Sequence, residues 1–530
     1  MKRNFSKALA LLLSVLMIVS VLAGCGDKSK GDSNEKRTAV NVAIADDLED
    51  LSPWGSVTKP ARYIVYGNIY QHLMQAETMG SDELKPVLAK EWTQDDEFTY
   101  TITLYDYIKD TEGNAFKASD AIFCLESWAA TTDNYIDHCE EIDEYTFKLV
   151  LTSSAPGVFQ RTVESVWMVT EAAYKASSDG MATNPVGTNP YKVTNFVSDA
   201  KIVCEKVEDH WQKDELIMAS YKPNVDVIEY DIIAEASQMG MALQAGDIQI
   251  GCEMDVSQLD QLLENDKLAL TQGICPYSRP IMFCMTPDSP FYENPALRQA
   301  VCYAINEEAL AEIIGLGYGW AAKTNDSYTS QVGYNTEWEK DPYYQYDVAK
   351  AKALLAEAGY EPGELSLRMM SNGNGTVKLM METIQADLLA IGINAKVEVA
   401  DSATFGANRD GFSGVYDICY AGQDYGNNVL TLWNNIYDAS IRKSGCTWAG
   451  HDDPKLQEML KELNTAEGFT QENIDAFYHY VADACLYYVP VMLPEAYVHN
   501  AKITNIPMDN TGYVRINAAT FGADYDVYAD

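Results

Sequence analysis

The segment that most constrains the fold is residues 84–127, because its pattern specifies a strand, a turn and a helix in succession. Its middle alternates strictly between apolar and threonine side chains, which is the period of a half-buried β-strand. The apolar side of that strand carries Phe98, Tyr100, Ile102 and Leu104. Gly113-Asn114 then predicts a turn, and Ser119 or Asp120 is placed to cap a helix that begins near residue 121.

Later segments also alternate between helix and strand. Residues 225–250 have the pattern strand, helix, strand, with the helix predicted over 237–244. Residues 377–391 have one apolar helical face, and Gly392 predicts the end of that helix. Residues 393–399 then alternate as a strand. Helices that connect strands in this way predict an α/β fold with a parallel sheet.

Other helices are marked by their start and stop residues. Residues 61–74 have helical spacing. Asn294-Pro295 predicts a helix with proline in its first turn, and Asn306 caps the next one. Residues 346–359 predict a capped, alanine-rich helix that stops at a glycine.

The chain is long and strongly acidic. Its 530 residues exceed what one hydrophobic core holds, so two or three domains are expected. It has 38 Lys and Arg residues against 78 Asp and Glu residues, which gives a net charge of −40 at pH 7. Such a surface repels phosphate backbones, so nucleic acid is not expected as a partner. Solubility is the simplest role of this charge.

Residues 1–24 have the pattern of a secretory signal peptide. The start is basic, and residues 8–21 are an apolar run that is short for a membrane span. The run ends in Leu22-Ala23-Gly24-Cys25, which resembles a bacterial lipobox, the signal whose cysteine is lipidated. An ordinary signal peptide with an incidental cysteine is the alternative.

The residues after Cys25 support an anchored, extracytoplasmic protein. Residues 26–37 are polar and unpatterned, which predicts a flexible tether over residues 25–37. Acyl chains on Cys25 would hold the protein at a membrane surface. We therefore expect a protein that works outside the cytoplasmic membrane, at the cell surface or in a periplasm.

The remaining cysteines and the histidines predict no metal site. Ten cysteines follow Cys25, and none has the spacing of a CxxC or zinc motif. An even number in an exported chain permits disulfides. Four cysteines lie in apolar patterns that favour buried free thiols instead: Cys124, Cys302, Cys419 and Cys485. The six histidines are scattered, so no metal and no other cofactor is expected.

Several blocks, in one consistent order, carry a family resemblance. Residues 84–92 have the form Leu-x-Pro-x-Leu-Ala-x-x-Trp, and residues 112–120 the form Glu-Gly-x-x-Phe-x-Ala-x-Asp. Residues 298–305 have the form Arg-Gln-Ala-x-x-Tyr-Ala-Ile, and residues 346–359 follow. Together these blocks resemble the peptide/nickel class, family 5, of the extracellular solute-binding proteins that supply ABC importers.

The block at residues 187–191 departs from the family pattern at one position. Gly187-Thr188-Asn189-Pro190-Tyr191 resembles the family's Gly-Thr-Gly-Pro-Tyr, with Asn189 in place of the second glycine. Asparagine tolerates a left-handed backbone better than most residues. We therefore expect the turn to survive with Asn189 in that conformation.

The resemblance implies an α/β, two-lobed, periplasmic-binding-protein-like fold of type II with an extra subdomain inserted in the first lobe. The implied segments are lobe 1 at 38–60, 185–280 and 496–530, the inserted subdomain at 61–184, and lobe 2 at 281–495. Residues 487–493 are expected to carry the return crossing to lobe 1. The implied protein is a monomer that closes around a ligand by a hinge and delivers it to the permease subunits of the importer.

The resemblance also implies an oligopeptide ligand. In peptide-binding members, the aspartate of a Trp-x-x-Asp-Tyr-like segment holds the α-ammonium group of the peptide. Asp424 matches that aspartate and Tyr425 the tyrosine, but Ala421 stands where the tryptophan would be. A turn cap is the alternative role for Asp424. Trp54 and Trp433 are further candidates for the ligand site, with loop or core packing as their alternative.

The alternatives to an oligopeptide-binding protein are a different ligand or a different class of protein. An oligosaccharide is the main alternative ligand, because aromatic faces with amide and carboxylate edges suit sugar rings. Nickel is disfavoured because no histidine lies near Asp424. A secreted hydrolase is the alternative from another class, but the sequence has no GxSxG, HExxH or P-loop motif. We therefore expect no enzyme and no catalytic residues.

Overall fold

The computed structural model describes residues 37–54, 60–131, 135–273, 277–324, 327–410, 414–424, 428–439 and 453–525. Residues from Thr38 onward form one compact unit. The predicted signal peptide, Cys25 and all of the tether except Arg37 lie outside the described residues.

The secondary structure begins with twelve described strands and six helices in this order: β1 (Ala39–Ile44), α1 (Pro60–Ile69), β2 (Met74–Ala76), β3 (Leu84–Pro86), β4 (Ala89–Gln94), β5 (Thr99–Leu104), α2 (Ala118–Ala129), β6 (Ile136–Asp143), β7 (Thr146–Leu151), α3 (Val158–Ser165), α4 (Glu171–Ala176), β8 (Tyr191–Val197), β9 (Lys201–Lys206), β10 (Val227–Ile232), α5 (Ala236–Ala245), β11 (Ile250–Gly251), α6 (Val256–Leu263) and β12 (Leu268–Gln272).

The middle of the chain continues with β13 (Tyr277–Ser278), β14 (Ile281–Phe283), α7 (Pro295–Ala304), α8 (Glu307–Gly315), β15 (Trp320–Ala321), α9 (Val348–Glu357), β16 (Ser366–Ser371), α10 (Gly375–Ala390), β17 (Asn394–Val399), α11 (Ser402–Asp410), β18 (Ile418–Tyr420), β19 (Gln423–Asp424), α12 (Val429–Tyr437), α13 (Pro454–Leu463), α14 (Gln471–Ala484), β20 (Tyr487–Tyr488) and β21 (Val491–Met492). The C-terminal elements are β22 (Ala496–Asn500), β23 (Ile503–Asn505) and β24 (Thr520–Phe521).

Lobe 1 is built on a sheet whose described strands have the order β12-β22-β11-β1-β10-β9-β8. β1 lies between β10 and β11 and runs parallel to both, with Val42 paired to Tyr230 on one side and to Ile250 on the other. Helix α5 connects β10 to β11, which confirms the strand–helix–strand prediction for residues 225–250. β22 runs antiparallel to both β11 and β12, so the C-terminal part of the chain completes this sheet.

The inserted subdomain carries the strand that the alternating pattern predicts. Its described strands form an antiparallel sheet of order β4-β5-β7-β6. β5 covers Thr99–Leu104, and its Ile102 and Leu104 side chains are buried, as the alternation requires. Phe98 lies just before the strand and is exposed. The prediction of a strand is confirmed, and the predicted side is buried at Ile102 and Leu104 but not at Phe98.

The helix after this strand is confirmed, but its predicted cap is wrong. Helix α2 begins at Ala118, with Lys117 rather than Ser119 or Asp120 at the N-cap position. Asp120 Oδ2 accepts a hydrogen bond of 2.7 Å from the Lys117 backbone N–H, and its Oδ1 accepts one of 2.7 Å from the Glu171 N–H. Asp120 therefore closes the first turn from inside the helix and also holds the start of α4.

Lobe 2 is built on a second sheet, in which the described strands have the order β17-β16-β18-β14-β20. β16 runs parallel to both β17 and β18. Helix α10 connects β16 to β17, which confirms the αβ unit predicted for residues 377–399. The predicted caps are also confirmed, since the Asn294 and Asn306 side chains accept hydrogen bonds from the first turns of α7 and α8.

Helix α1 ends earlier than predicted, and Asn189 explains the end. The helix stops at Ile69 instead of continuing to residue 74. The buried Asn189 Nδ2 donates to the Gly67 carbonyl at 2.6 Å and to the Tyr70 carbonyl at 3.2 Å. Asn189 does not take the left-handed conformation expected for it. Its amide group instead satisfies carbonyls that the end of α1 leaves without helical partners.

The prediction that residues 487–493 return to lobe 1 is wrong. β20 pairs with β14, and β21 pairs with β15, so both short strands belong to lobe 2. Their side chains join the hydrophobic core of that lobe. The chain therefore crosses at residues 493–495. The apolar character of this segment reflects burial within lobe 2 rather than a connection between lobes.

Each lobe has its own hydrophobic core. The lobe 2 core is formed by buried residues between Ile281 and Leu493. The main lobe 1 core continues into the inserted subdomain and includes residues as late as Tyr525, while a smaller cluster lies around α5 and α6. Within the described ranges, no helix is both long and apolar enough to span a membrane.

Candidate functional site

The two lobes are connected by two neighbouring crossings of the chain. The first crossing leads from β12 to β14, and the second leads from β21 to β22. The Gly273 N–H donates a hydrogen bond of 2.7 Å to the Glu495 carbonyl, which joins the two crossings directly. Arg279 Nη1 also donates to the Leu493 carbonyl, at 3.4 Å. Two adjacent connecting segments are the arrangement about which lobes rotate by a hinge.

A separate set of contacts joins the inserted subdomain to lobe 2. Asn428 Nδ2 donates a hydrogen bond of 3.2 Å to the Pro156 carbonyl. Gly157, with φ 85°, packs so closely on the Asn428 amide that a Cβ would overlap it. Gly80, with φ 75°, packs in the same way on the backbone of Ser330. Glycine is required at both contacts, which hold the inserted subdomain against lobe 2.

Asn428 links this contact to the segment that carries the predicted ligand residues. Its Oδ1 accepts a hydrogen bond of 2.7 Å from the Thr431 N–H and so caps helix α12. Its backbone forms a bridge with Val332, and its carbonyl accepts from Gln331 Nε2 at 3.3 Å. One amide group therefore starts a helix of lobe 2 and contacts the inserted subdomain at the same time.

The structure places Asp424 next to the first crossing. Asp424 lies in β19, whose backbone pairs antiparallel with β13, with Asp424 opposite Tyr277 and Gln423 opposite Ser278. β13 lies within the first crossing, between β12 and β14. Tyr425 lies outside the described residues. The backbone position of Asp424 is therefore at the junction of the two lobes.

Trp433 lies in the core of lobe 2. It is fully buried in helix α12, and its ring packs against Phe477 with centroids 4.7 Å apart and lies 6.5 Å from Trp338. Its Nε1–H has no hydrogen-bond partner among the described residues. These contacts correspond to the core-packing role, and they do not bring Trp433 together with Asp424.

Trp54 lies in an aromatic cluster of lobe 1. Its ring centroid is 4.9 Å from that of Tyr174 and 5.6 Å from that of Phe123, on helices α4 and α2. Its Nε1–H donates to the Trp167 carbonyl at 3.1 Å. Trp54 is thus held against the inserted subdomain, in a different lobe from Asp424.

Three carboxyl groups at one edge of the lobe 1 sheet did not emerge from the sequence. Asp46 lies just beyond β1, Glu253 just beyond β11, and Glu495 just before the antiparallel β22. Burial raises the pKa of the Glu253 carboxyl well above its ordinary value, and the nearby charges of Glu495 and Asp46 raise it further. Glu253 also has a positive φ of 55°. The only sequence signal was that each residue borders an apolar strand.

The described residues contain no group of three or more His, Cys, Asp or Glu side chains arranged to hold a metal ion. The three carboxyl groups therefore do not form a metal-binding cluster. Their position at the carboxyl ends of parallel strands, beside the second crossing, is where ligands commonly bind to open α/β sheets. The arrangement offers carboxyl groups that can form hydrogen bonds with a bound molecule.

Comparison with known families gives one match that covers most of the chain. The model of the bacterial extracellular solute-binding proteins, family 5 (middle part), matches residues 83–437. This range contains the inserted-subdomain strand, the capped helices of lobe 2 and the Asp424 segment. The blocks identified in the sequence and the matched range therefore coincide over the greater part of the protein.

Individual relatives are more distant. The glutathione-binding protein GsiB of Pectobacterium atrosepticum is 28% identical over 326 residues, which is 60% of this chain and 60% of that protein. The crystal structure of a dipeptide-binding protein from Pseudoalteromonas sp. SM9913 in complex with Met-Leu is 18% identical, covers 91% of this chain and 100% of its own, and has a TM-score of 0.74. The crystal structure of NikA from Staphylococcus aureus in complex with Ni(L-His)2 is 17% identical and has a TM-score of 0.70. The match covers 91% of this chain and 100% of NikA. These likenesses show the two-lobed binding-protein fold.

Proposed function

This chain belongs to family 5 of the bacterial extracellular solute-binding proteins, and from that premise we propose that it captures oligopeptides between its lobes and delivers them to the permease of an ABC importer. The observation that carries the proposal is the arrangement of the lobes. Two adjacent crossings form a hinge on one part of the interface, and the Asn428–Pro156 contact closes another. Closure around a ligand requires both elements.

The peptide ligand is supported by the segment at Asp424 and by the relatives. One relative is named for glutathione, itself a small peptide, and one similar structure holds the dipeptide Met-Leu. Asp424 matches the family's ammonium-binding aspartate, and its backbone lies beside the first crossing. A buried carboxylate gains most from a partner that is charged and has several hydrogen-bond donors, which a peptide N-terminus provides. Tyr425 would line the same site.

We propose that the mature protein is a monomer anchored by lipid on Cys25 and that it performs no covalent chemistry. The chain would then act at the outer face of the cytoplasmic membrane, where importer permeases are accessible. Replacing Cys25 with Ser should release the exported protein from the membrane fraction, because the thiol that carries the lipid is lost. A protein that stays with the membranes after this change would contradict the anchor.

The ligand is tested by isothermal calorimetry on the soluble part that begins after Cys25. Free-amine peptides should bind, and their N-acetylated forms should bind at least about 30-fold more weakly, since one partner of a charged pair is lost at a cost of ~2 kcal/mol or more. Asp424→Asn should weaken free-amine peptides to a similar extent and leave acetylated peptides unchanged. Glu467→Gln is the control, because Glu467 is an exposed carboxylate of the same lobe.

Each other result has a distinct meaning. Binding of oligosaccharides but not peptides would replace the ligand and keep the transport role. Peptide binding that does not change with acetylation or with Asp424→Asn would remove Asp424 from the site and return it to the turn-cap role. Hydrolysis of any ligand during the titration would contradict the absence of catalysis.

A further inference from the structure

Two cysteines of lobe 2 contact each other although they are far apart in the sequence. Cys302 lies in helix α7, and Cys485 follows the last residue of helix α14. Their Sγ atoms are 3.1 Å apart and both side chains are fully buried. A disulfide bond has an S–S distance of ~2.0 Å, so the sulfurs are about 1 Å from bonding distance. The pair therefore has the proximity that oxidation requires.

The backbone on both sides of the pair is already held in place. Cys485 takes the left-handed conformation, φ 50° and ψ 52°, and its N–H donates to the Val481 carbonyl at 3.0 Å. Arg298, one turn before Cys302, donates from Nε to the Ala484 carbonyl at 2.9 Å. These hydrogen bonds fix the end of α14 against α7. A bond between the sulfurs would need only small side-chain movements.

Other described cysteines have different surroundings. The Cys124 Sγ donates to the Val169 carbonyl at 3.2 Å and accepts from the Val169 N–H at 3.3 Å. The Cys419 Sγ donates to the Tyr420 carbonyl at 2.9 Å. These thiols use backbone groups as partners, whereas Cys302 and Cys485 contact each other, and Cys485 also has a side-chain hydrogen bond with Tyr344. The contrast makes Cys124 a suitable control.

We propose that Cys302 and Cys485 form a disulfide bond in the exported protein, with a low-molecular-weight disulfide as oxidant. This proposal rests on the extracytoplasmic location given above, because disulfides persist in oxidising compartments. The disulfide bond would link α7 to the segment just before β20, and the two cysteines are 183 residues apart in the sequence. The link would hold together helices at the two ends of lobe 2, shortly before the second crossing.

The oxidation proceeds by two thiol–disulfide exchanges. The Cys302 thiol loses its proton, and the thiolate attacks one sulfur of the oxidant RSSR; the S–S bond of the oxidant breaks, and RS⁻ leaves and takes up a proton. The Cys485 thiolate then attacks the Cys302 sulfur of the mixed disulfide and releases the second RSH. Two thiols and one RSSR thus give one protein disulfide and two RSH, and the two electrons pass to the oxidant.

Burial determines when the exchange takes place. It raises the pKa of the Cys302 thiol well above its ordinary value, so little thiolate exists in the folded protein. Both sulfurs are also inaccessible to an oxidant once the lobe has formed. The bond would therefore form while lobe 2 folds, and the folded protein would resist reduction unless a denaturant is added.

The test is mass spectrometry of the exported wild-type protein, alkylated and digested with trypsin without reduction. Cleavage after Arg298 and Lys323 gives a peptide in which Cys302 is the one cysteine. Cleavage after Lys461 and Lys502 gives a peptide in which Cys485 is the one cysteine. We expect these two peptides joined, lighter by two hydrogen atoms than their sum, and separated by reduction. Recovery of both peptides alkylated would overturn the proposal.

A second measurement separates this proposal from the location on which it rests. Protein purified reduced from the cytoplasm is unfolded and refolded with oxidised glutathione, and the same peptides are analysed. Joined peptides here but not in the exported protein would show that the two thiols can pair and would still overturn the bond in the exported protein. Joined peptides in neither sample would overturn the disulfide whatever the location. Reduction in denaturant followed by refolding should lower the melting temperature by several degrees in wild type and Cys124→Ala, but not in Cys302→Ala.

Discussion

At the scale of single residues, Glu307 has a carboxyl group that stays protonated in the folded protein at pH values at which an exposed glutamate is ionised. It is the first residue of α8 and is buried, and the Tyr488 hydroxyl donates a hydrogen bond of 2.5 Å to its Oε1. Burial raises its pKa from 4.5 to about 7. Between these two values the folded protein holds a proton that the unfolded chain has released. The free energy of unfolding therefore falls as pH rises through this window.

We expect Glu307→Gln to remove this pH dependence and to raise the free energy of unfolding above pH 7 by about 1–3 kcal/mol, since one pKa unit corresponds to ~1.4 kcal/mol. Urea unfolding of wild type and variant at a series of pH values measures the effect. Glu308→Gln is the matched control, because Glu308 is the adjacent residue of the same helical turn and is exposed. A pH dependence that is equal in wild type and Glu307→Gln would refute the assignment.

Single residues also mark how far the sequence predicts the site. Asp424 is proposed for the site because a family block matches its position, and its backbone pairs with Tyr277 beside the first crossing. Glu253 was not predicted as a candidate from the sequence. Its proximity to Asp46 and Glu495 arises only from the order of the strands in the sheet. Trp433 is an aromatic residue of the type that often contacts ligands, but it lies in the core of lobe 2. Residue type alone does not distinguish a wall of the site from the core beneath it.

At the scale of elements, helices α3 and α12 start at the contact between the inserted subdomain and lobe 2. Gly157 is the N-cap residue of α3, and Asn428 is the N-cap residue of α12. The Asn428 amide donates to the Pro156 carbonyl just before Gly157. The two helix starts are thus the groups that meet when the lobes close. A change that separates them should act on closure rather than on either helix.

We expect Gly157→Ala to favour the open arrangement, because the added Cβ would overlap the Asn428 amide only when the lobes are in contact. Ligand affinity should fall by about 10-fold, equivalent to ~1.4 kcal/mol. The radius of gyration from small-angle scattering, with and without ligand, should increase relative to wild type. Gly113→Ala is the control, since Gly113 has a similar φ of 89° and no atom lies within 4 Å of the position that an added Cβ would take. Equal effects of the two substitutions would show that backbone strain, not closure, is responsible.

The elements themselves were largely predictable, and the errors have physical causes. The capped helices at Asn294 and Asn306 and the alternating strand at Thr99–Leu104 follow from local patterns, and the structure confirms them. The end of α1 depends on Asn189, more than a hundred residues away, so no local pattern predicted it. The segment 487–493 is apolar because it fills a core, and hydrophobicity alone does not say which core.

At the scale of the whole molecule, the dominant property is the net charge of −40. Like charges at this density repel one another more strongly in the compact state than in the unfolded chain. We expect the melting temperature to rise when the ionic strength increases from ~0.01 M to ~0.15 M, because the Debye length shortens from about 30 Å to about 8 Å. Scanning calorimetry in KCl measures this, with sucrose of equal osmolality as the uncharged control. A melting temperature that is constant or falls with KCl would contradict the repulsion.

The position of β22 determines when lobe 1 can be finished during synthesis. β12 has β22 as its neighbour in the sheet, and β22 also covers the edge of β11. Lobe 2 is continuous in sequence and lies entirely before β22. It can therefore fold before β22 has been synthesised and has joined the lobe 1 sheet. A polypeptide released before Ala496 would expose two unpaired sheet edges, which are sites of aggregation and of attack by proteases. Completion of the sheet thus distinguishes a full-length product from a truncated one.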